Sequence, residues 1–185
     1  GAWIFDNEID SILGNFENGD IVLVKPIEFG NLDMFHKQDC QYTVCLRGIV
    51  DGEPKVIKRV VTSVADAVDA YGEYQKYADY AKLDSLRYIV SNTTEAGIVY
   101  DDTDKFEAEP PKTYPGKLCK FLYTRYKHFN GAADKGLVML PVELIDDNGI
   151  HLKECVVKFA KLWNLEEGFL TWLDDACVFT STLVD

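Results

Sequence analysis

Short, largely apolar runs that end abruptly in polar residues constrain the fold of this chain more than any other feature. The first covers residues 21–24 and ends at Lys25-Pro26, and two others cover residues 86–90 and 137–142. A short apolar run without alternation is typical of a strand that is covered on both faces, as in parallel sheets. The runs therefore predict a mainly parallel sheet.

The segments between these runs predict one hairpin and several helices. Residues 41–50 and 54–61 flank Asp51-Gly52, a dipeptide that favours a hairpin turn. Apolar residues at helical spacing, with Ser63 as the N-cap, predict a helix from residue 63 to about residue 82. The order of elements is that of an α/β fold with helices on both faces of the sheet. Further helices are predicted over residues 3–13, 115–129, 151–163 and 166–174, with a last strand over residues 178–183.

Composition argues against several classes of partner. The chain has 185 residues, enough for one domain, and its net charge is -12, so it lacks the clustered basic residues of a nucleic-acid surface. No apolar run approaches the roughly 20 residues of a membrane span, and no export leader is recognisable. The five cysteines are irregularly spaced without a CxxC pair, which predicts reduced, mostly buried thiols in a cytoplasmic protein and no metal site.

Polar residues follow the predicted strands at residues 25–28, 92–97 and 143–149. Ligands of parallel sheets bind beyond the carboxyl ends of the strands, so these segments are candidates for a binding site. A turn that caps the next helix is the alternative for each of them. Glu143 and Asp146-Asp147 also have carboxylates of the type that binds metals, although turn formation is the favoured interpretation of the aspartate pair.

The densest polar cluster is Asn92-Thr93-Thr94-Glu95. Its amide and hydroxyl groups are suited to hydrogen-bond a carboxamide or a ribose. Glu95 is either a base or a carboxylate that the dipole of a following helix favours. No glycine-rich phosphate loop follows a strand, because Gly14-Asn15-Phe16 comes after a predicted helix. The residues by themselves thus predict an α/β domain with a ligand-binding edge and no identified reaction.

Two other functions are compatible with these residues. One is a standalone α/β binding or regulatory module without catalysis, which the missing phosphate loop favours if the chain is a full-length product. The other is a hydrolase that uses Glu95 and Glu143, but no nucleophile motif such as GxSxG supports it.

Residues 87–98, Arg-Tyr-Ile-Val-Ser-Asn-Thr-Thr-Glu-Ala-Gly-Ile, closely resemble a stretch of the tagaturonate reductases (altronate oxidoreductases) of the mannitol dehydrogenase family. Several agreeing blocks in the same order are more specific than any single motif. The further blocks are residues 24–28, 128–132, 134–136, 141–149 and 181–185.

The resemblance implies a Rossmann-type domain, NAD as the cofactor and reversible reduction of tagaturonate to altronate in hexuronate catabolism, without a metal. It implies that residues 1–185 are a partial NAD-binding domain. The first strand and the glycine-rich loop would precede residue 1, and a helical substrate domain with the catalytic lysine would follow residue 185. We therefore expect the chain alone to be inactive, to bind NAD very weakly at most, and to be able to self-associate through unpaired strand edges.

Site residues follow from the same resemblance. Thr94, Glu95 and Gly97 match the family segment beside the nicotinamide, and Asn92 and Thr93 precede it. Lys25 and Glu28 follow the strand where the adenosine ribose usually binds. The expected cofactor contacts are therefore Lys25, Glu28, Asn92, Thr93, Thr94 and Glu95. Mannitol dehydrogenases carry an Asp-Asn pair upstream of an Asn-Gly; the matching positions here are Glu143-Leu144 and Asn148-Gly149. Leu144 cannot polarise the substrate oxygen, so the expected substrate contacts are Glu143 and Asn148, and no catalytic residue is expected within the chain.

Overall fold

The computed structural model describes residues 20–94 and 96–182, which contain both strands and helices. Outside these ranges lie the predicted helix at residues 3–13, Glu95, and residue 183, which is the last residue of the strand predicted over residues 178–183. The chain divides into two units, Gly1–Glu73 and Tyr74–Asp185.

The first unit contains a parallel strand pair and a hairpin. Strand β1 pairs in parallel with β4, and β2 pairs antiparallel with β3. The prediction of a strand at residues 21–24 is confirmed, but not its burial on both faces, because β1 is half-buried and Val24 is 41% exposed. The elements are β1 (Ile21–Lys25), α1 (Asp33–Lys37), β2 (Tyr42–Val50), β3 (Glu53–Val61) and β4 (Val64–Asp69).

The helix predicted from residue 63 to residue 82 is wrong over its first half. Residues 64–69 form strand β4, and only Tyr74–Tyr80 is helical. A register shift in the β1–β4 ladder moves the partner from Val64 to Asp66, so that Ala65 is an extra residue. The shift changes which side chains face inward, and Val64, Ala67 and Val68 are buried at a spacing that imitates a helix.

The hairpin is confirmed. Asp51 and Gly52 both have positive φ values, 54° and 81°, as the two central residues of a type I′ turn require. Glycine takes such an angle without cost, and aspartate is among the residues that tolerate it best.

The second unit contains a three-stranded parallel sheet in the order β5-β6-β7. The predicted strands and helices are confirmed here, with ends that differ by a few residues. The last strand is shorter than predicted, with only two residues. The elements are α2 (Tyr74–Tyr80), β5 (Tyr88–Ser91), α3 (Tyr114–His128), a 3₁₀ turn (Ala133–Lys135), β6 (Val138–Pro141), α4 (Asn148–Leu162), α5 (Glu167–Asp175) and β7 (Val178–Phe179).

Helix α3 illustrates how local sequence sets the element boundaries. The Thr113 hydroxyl caps the helix by accepting a hydrogen bond from the Gly116 N–H at 3.1 Å, and Pro115 occupies the first turn. Asn130 and Gly131 follow its end with φ values of 51° and 70°, which stops the helix. Its buried face packs into a core with α4, α5 and the sheet, including Leu122, Phe159 and Phe169.

The cysteines are free thiols, and all but Cys45 are buried, as predicted. Within the described ranges, no helix is long and apolar enough to cross a membrane. The same residues contain no group of three or more His, Cys, Asp or Glu side chains arranged to hold a metal ion.

Candidate functional site

The carboxyl ends of β5 and β6 lie side by side in the second unit. The two strands run in parallel, with Ser91 opposite Pro141 at the end of the ladder. The segments that begin at Asn92 and Val142 therefore leave the sheet at the same edge, as predicted for Asn92 and Glu143. Ile27 belongs to the first unit, and its place at this edge stays a prediction.

Glu143 is the centre of a buried polar cluster at this edge. Its side chain is completely buried. One carboxylate oxygen accepts hydrogen bonds from the backbone N–H of Thr93 at 3.1 Å and from the Thr93 hydroxyl at 2.9 Å. The other accepts a hydrogen bond from the Ser91 hydroxyl at 3.2 Å. The carboxylate thus joins the segment after β6 to the segment after β5.

Asn148, at the start of α4, is also completely buried. Its Nδ2 lies 3.1 Å from the carbonyl oxygen of Pro141, 3.0 Å from that of Glu143 and 2.8 Å from that of Thr182, while its Oδ1 accepts a bond from the Thr182 N–H at 3.0 Å. The amide therefore pairs with the Thr182 backbone much as a neighbouring strand would. In this arrangement its hydrogen-bonding groups are used within the protein.

The segment of residues 92–97, here called the 92–97 loop, combines exposure with strain. Asn92 and Thr94 are exposed, and Thr93 is half-buried. Thr94 has a φ of 100°, which is unfavourable for a β-branched residue. The Gly97 N–H donates to the Thr94 carbonyl at 3.0 Å and closes a turn. Strained residues of this kind cluster at functional sites, where the surrounding structure holds them.

Two residues of the cluster were not singled out in the sequence. Ser91 is the last residue of β5 and is buried against Glu143. Tyr114 begins α3, and burial raises the pKa of its hydroxyl well above the usual value; the Glu143 charge acts in the same direction, and the Ser91 side chain acts against them. Two signals point to Ser91, namely its place as a polar residue at the end of an apolar strand and its place within residues 87–98, which carry the resemblance. Nothing in the sequence points to Tyr114.

Lys25 and Glu28, the other predicted cofactor contacts, lie in the first unit. The Lys25 ammonium donates to the carbonyl oxygens of Ile27 at 2.9 Å and Glu28 at 3.3 Å, and pairs with the Asp69 carboxylate at 3.0 Å. Burial would raise the pKa of Asp69, but hydrogen bonds from Lys25 and from the backbone of Tyr71 and Gly72 lower it overall. Lys25 therefore holds the loop after β1, whereas the Glu28 side chain is exposed.

The site in the second unit offers hydrogen-bonding groups rather than a nucleophile. Asn92 and Thr94 present amide and hydroxyl groups at the end of a parallel strand, where ligands of such sheets bind. Beneath them, Glu143 fixes the loop from inside. This arrangement suits recognition of a polar ligand whose chemistry is supplied by the ligand itself.

Comparisons with known proteins agree with this architecture. Altronate oxidoreductase from Bacillus subtilis is 44% identical over 168 residues, which are 91% of this chain and 35% of that protein. The altronate oxidoreductase from Phocaeicola vulgatus is 42% identical over the same shares. The chain thus spans about a third of the length of these curated relatives.

Two solved structures share the fold. The mannitol 2-dehydrogenase of Pseudomonas fluorescens, a ternary complex with NAD and D-mannitol, is 20% identical with a TM-score of 0.73, and the match covers 97% of this chain and 39% of that one. A D-sorbitol dehydrogenase in substrate-free form is 18% identical with a TM-score of 0.77, and the match covers 100% of this chain and 40% of that one. The family model of the mannitol dehydrogenase Rossmann domain matches residues 12–185. Because that match spans nearly the whole sequence, the chain belongs to the mannitol dehydrogenase family.

Proposed function

We propose that this chain is the NAD-binding part of an oxidoreductase that interconverts tagaturonate and altronate in the cytoplasm. The observation that carries the proposal is the 44% identity to altronate oxidoreductase over 91% of the chain. Identity at this level over 168 residues supports a shared substrate more strongly than the fold does, since one fold hosts many functions.

NAD is the proposed cofactor, and the 92–97 loop is its proposed contact. The fold neighbour from Pseudomonas fluorescens is a complex with NAD. Asn92, Thr93, Thr94 and Glu95 would contact the nicotinamide end, and Lys25 and Glu28 would lie toward the adenosine end. The polar side chains at the carboxyl end of β5 fit a carboxamide and a ribose, both of which are bound through hydrogen bonds.

When bound, NAD supplies hydride transfer, and the protein supplies position. The chain's own residues would orient the nicotinamide and exclude other poses. Glu143 and Asn148, proposed from the resemblance as substrate contacts, both lie at the same edge of the sheet as the 92–97 loop. A hexuronate bound beside the nicotinamide would therefore approach this edge, with its proton donor supplied by the part of the enzyme outside these residues.

The substrate assignment is tested with the full-length enzyme that contains this chain. NAD reduction is followed by absorbance with altronate and, as the matched comparison, with D-mannitol. We expect altronate to be oxidised with a kcat/KM at least about 100-fold higher, because a site built to bind a carboxylate strongly disfavours an analogue that lacks it. Equal use of both compounds, or no turnover of altronate, would contradict the proposal.

The 185-residue chain alone provides a second test. Its sequence contains no G-x-G-x-x-G motif, so the usual phosphate loop that binds the pyrophosphate is not recognisable in it. We expect no altronate oxidation and at most very weak NADH binding in calorimetric titration. Micromolar binding would show that residues 1–185 contain a phosphate site that the sequence does not reveal.

A further inference from the structure

We infer that Glu143 is a positioning residue for the cofactor: it fixes the 92–97 loop from beneath and does not itself contact the sugar acid. The inference rests on the proposed function only in taking the 92–97 loop as the place where the dinucleotide binds. It replaces the substrate contact expected for Glu143 with a different role.

Burial is the first argument. The Glu143 side chain has no exposed surface, although it lies at a sheet edge where neighbouring side chains are exposed. Its carboxylate is occupied by three donors from the end of β5, one from Ser91 and two from Thr93. A buried carboxylate that is bonded in this way is held by the protein, and release toward a ligand would leave those donors unpaired.

The two bonds to Thr93 define what Glu143 controls. They fix both the backbone N–H and the hydroxyl of the same residue, so they set the backbone position and the side-chain rotamer together. Thr93 lies between Asn92 and Thr94, which are exposed residues of the loop. An anchor at the middle residue therefore determines where both neighbours present their polar groups.

The strain at Thr94 requires such an anchor. A threonine at φ 100° returns to a relaxed conformation unless its neighbours prevent it. The preceding residue is held by Glu143, and the turn is closed by the bond from the Gly97 N–H to the Thr94 carbonyl. The strained conformation is thus fixed on both sides.

Gly97 provides independent support from packing. A Cβ atom at this position would lie 1.9 Å from the Thr93 hydroxyl oxygen and 2.4 Å from its Cβ. Rotation of the hydroxyl would break its bond to Glu143 and would not move the Thr93 Cβ, so a side chain at position 97 displaces Thr93 itself. This predicts that Gly97→Ala releases Thr93 from Glu143 as effectively as removal of the hydroxyl.

The main chain beneath Glu143 is fixed as well. Asn148 donates to the Glu143 carbonyl oxygen at 3.0 Å and to that of Pro141 at 3.1 Å. A continuous series of hydrogen bonds thus runs from the start of α4 through Glu143 to the exposed part of the 92–97 loop. Because the Asn148 amide and the Glu143 carboxylate are both engaged in these bonds, their role here is to hold the loop.

The test uses the full-length enzyme and measures two quantities separately: the Kd for NADH by fluorescence titration and the KM for tagaturonate. We expect Glu143→Gln, Thr93→Val and Gly97→Ala each to raise the Kd for NADH about tenfold, the size of one lost hydrogen bond to a charged group. The KM for tagaturonate at saturating NADH should stay within about twofold. Thr93→Ser keeps the hydroxyl and should bind NADH nearly as well as wild type.

Non-additivity sharpens the test. If Glu143 acts through Thr93, the double variant E143Q/T93V should bind NADH no more weakly than the weaker single variant, within about twofold. Glu154→Gln, which changes an exposed glutamate on α4, is the matched control and should leave both constants unchanged. Circular dichroism and thermal melting establish that each variant is folded.

Three results would overturn the inference. One is a raised KM for tagaturonate with an unchanged Kd for NADH, which would make Glu143 a substrate contact. Another is additive effects of E143Q and T93V, and the third is a Thr93→Ser variant as impaired as Thr93→Val. The proposed function can fail separately. An enzyme that binds NADH but does not reduce tagaturonate refutes the proposed substrate, while the Kd values of the variants for NADH still decide the role of Glu143. A wild-type enzyme that binds no NADH refutes both.

Discussion

Among the described residues, the core cluster of the second unit contains fifteen buried residues, whereas that of the first unit contains four. The first unit instead exposes apolar side chains along both strands of its hairpin. Since buried apolar surface is the main source of stability, substitutions should have large effects in the second unit and small ones in the first. The exposed hairpin residues are Leu46, Ile49, Val50, Val56, Ile57 and Val60.

The two units also present two kinds of surface. In the second unit, polar residues are fixed at a strand edge by buried contacts, which is what a ligand site needs. In the first unit, large apolar residues lie on an exposed hairpin, which is typical of a surface that another protein element covers. Four predictions test this contrast, from the largest expected effect to the smallest.

Arg125→Met should have the largest effect. The Arg125 side chain is completely buried, and its guanidinium donates to the carbonyl oxygens of Lys135, Ala81, Leu83 and Leu86 at 2.6–3.2 Å. Without it, these buried or partly buried acceptors lose their partner, and we expect the free energy of unfolding to fall by roughly 3–5 kcal/mol. Urea unfolding measures the change.

The same substitution at Arg59 is the control for that experiment. Arg59 lies on the exposed hairpin, so Arg59→Met should change the free energy of unfolding by less than about 0.5 kcal/mol. Similar losses for both arginines would remove the contrast between the units.

Gly149→Ala should have the next largest effect. A Cβ atom there would lie 2.1 Å from the carbonyl oxygen of Thr180, and the approach is between two main chains that neither side can easily move. We expect a loss of about 2–3 kcal/mol in urea unfolding. A Cβ atom at Gly48 in the hairpin would meet no other atom within 4 Å, so Gly48→Ala should be neutral or slightly stabilising. Equal effects of the two alanines would mean that the chain after β7 is free to move.

Lys117 should make stability depend on alkaline pH. Burial lowers the pKa of its ammonium to about 8, with Asp104 acting in the opposite direction. Between about pH 8 and the unfolded value near 10.5, only the unfolded state holds the proton, so rising pH favours the folded state. Lys117→Met should remove a rise of roughly 1–3 kcal/mol over this window.

Urea unfolding at several pH values measures this difference, with Lys55→Met in the exposed hairpin as the control. A stability difference between wild type and Lys117→Met that does not change with pH would show that Lys117 is solvated. A change in the Lys55 variant would assign the effect to general charge repulsion.

The sequence predicted those elements whose signals are local. Asp51-Gly52 specified the hairpin, Pro115 the start of α3, and the apolar runs the strands that end at Lys25, Ser91 and Pro141. The helix predicted over residues 64–69 is wrong, because a one-residue register shift gives the buried residues of this strand the spacing of a helix. A bulge depends on pairing with another strand, and a single segment does not show it.

The sequence predicts where in the fold the candidate site lies, but not the hydrogen bonds that connect its residues. The 92–97 loop and Glu143 were expected at one edge because both follow apolar runs. The bonds from Thr93 to Glu143 join residues 50 positions apart, and those from Asn148 to Thr182 join residues 34 positions apart. No spacing rule links such residues. The contacts arise from the parallel register, which exists only once the sheet has formed.

Substitutions of the exposed apolar residues of the hairpin should have the smallest effect on the free energy of unfolding and the clearest effect on self-association of the chain. Ile49 is 77% exposed and Val56 is 58% exposed. They lie on one face, because Ile49 pairs with Pro54 and alternate residues of a strand share a face. Residues 42–61 contain four basic and two acidic side chains in a chain of net charge -12, so like-charge repulsion between two copies is weaker at this hairpin than the net charge of the chain implies. We expect the double variant Ile49→Thr/Val56→Thr to change the free energy of unfolding by less than about 1 kcal/mol, while it weakens self-association of the 185-residue chain roughly tenfold in sedimentation equilibrium.

Val99→Thr, which changes an exposed valine of the second unit, is the control and should leave association unchanged. If the hairpin variant associates as strongly as wild type, the contact surface lies outside the hairpin. If Val99→Thr weakens association as much as the hairpin variant does, the effect is not specific to the hairpin, and the contrast between the two units does not hold.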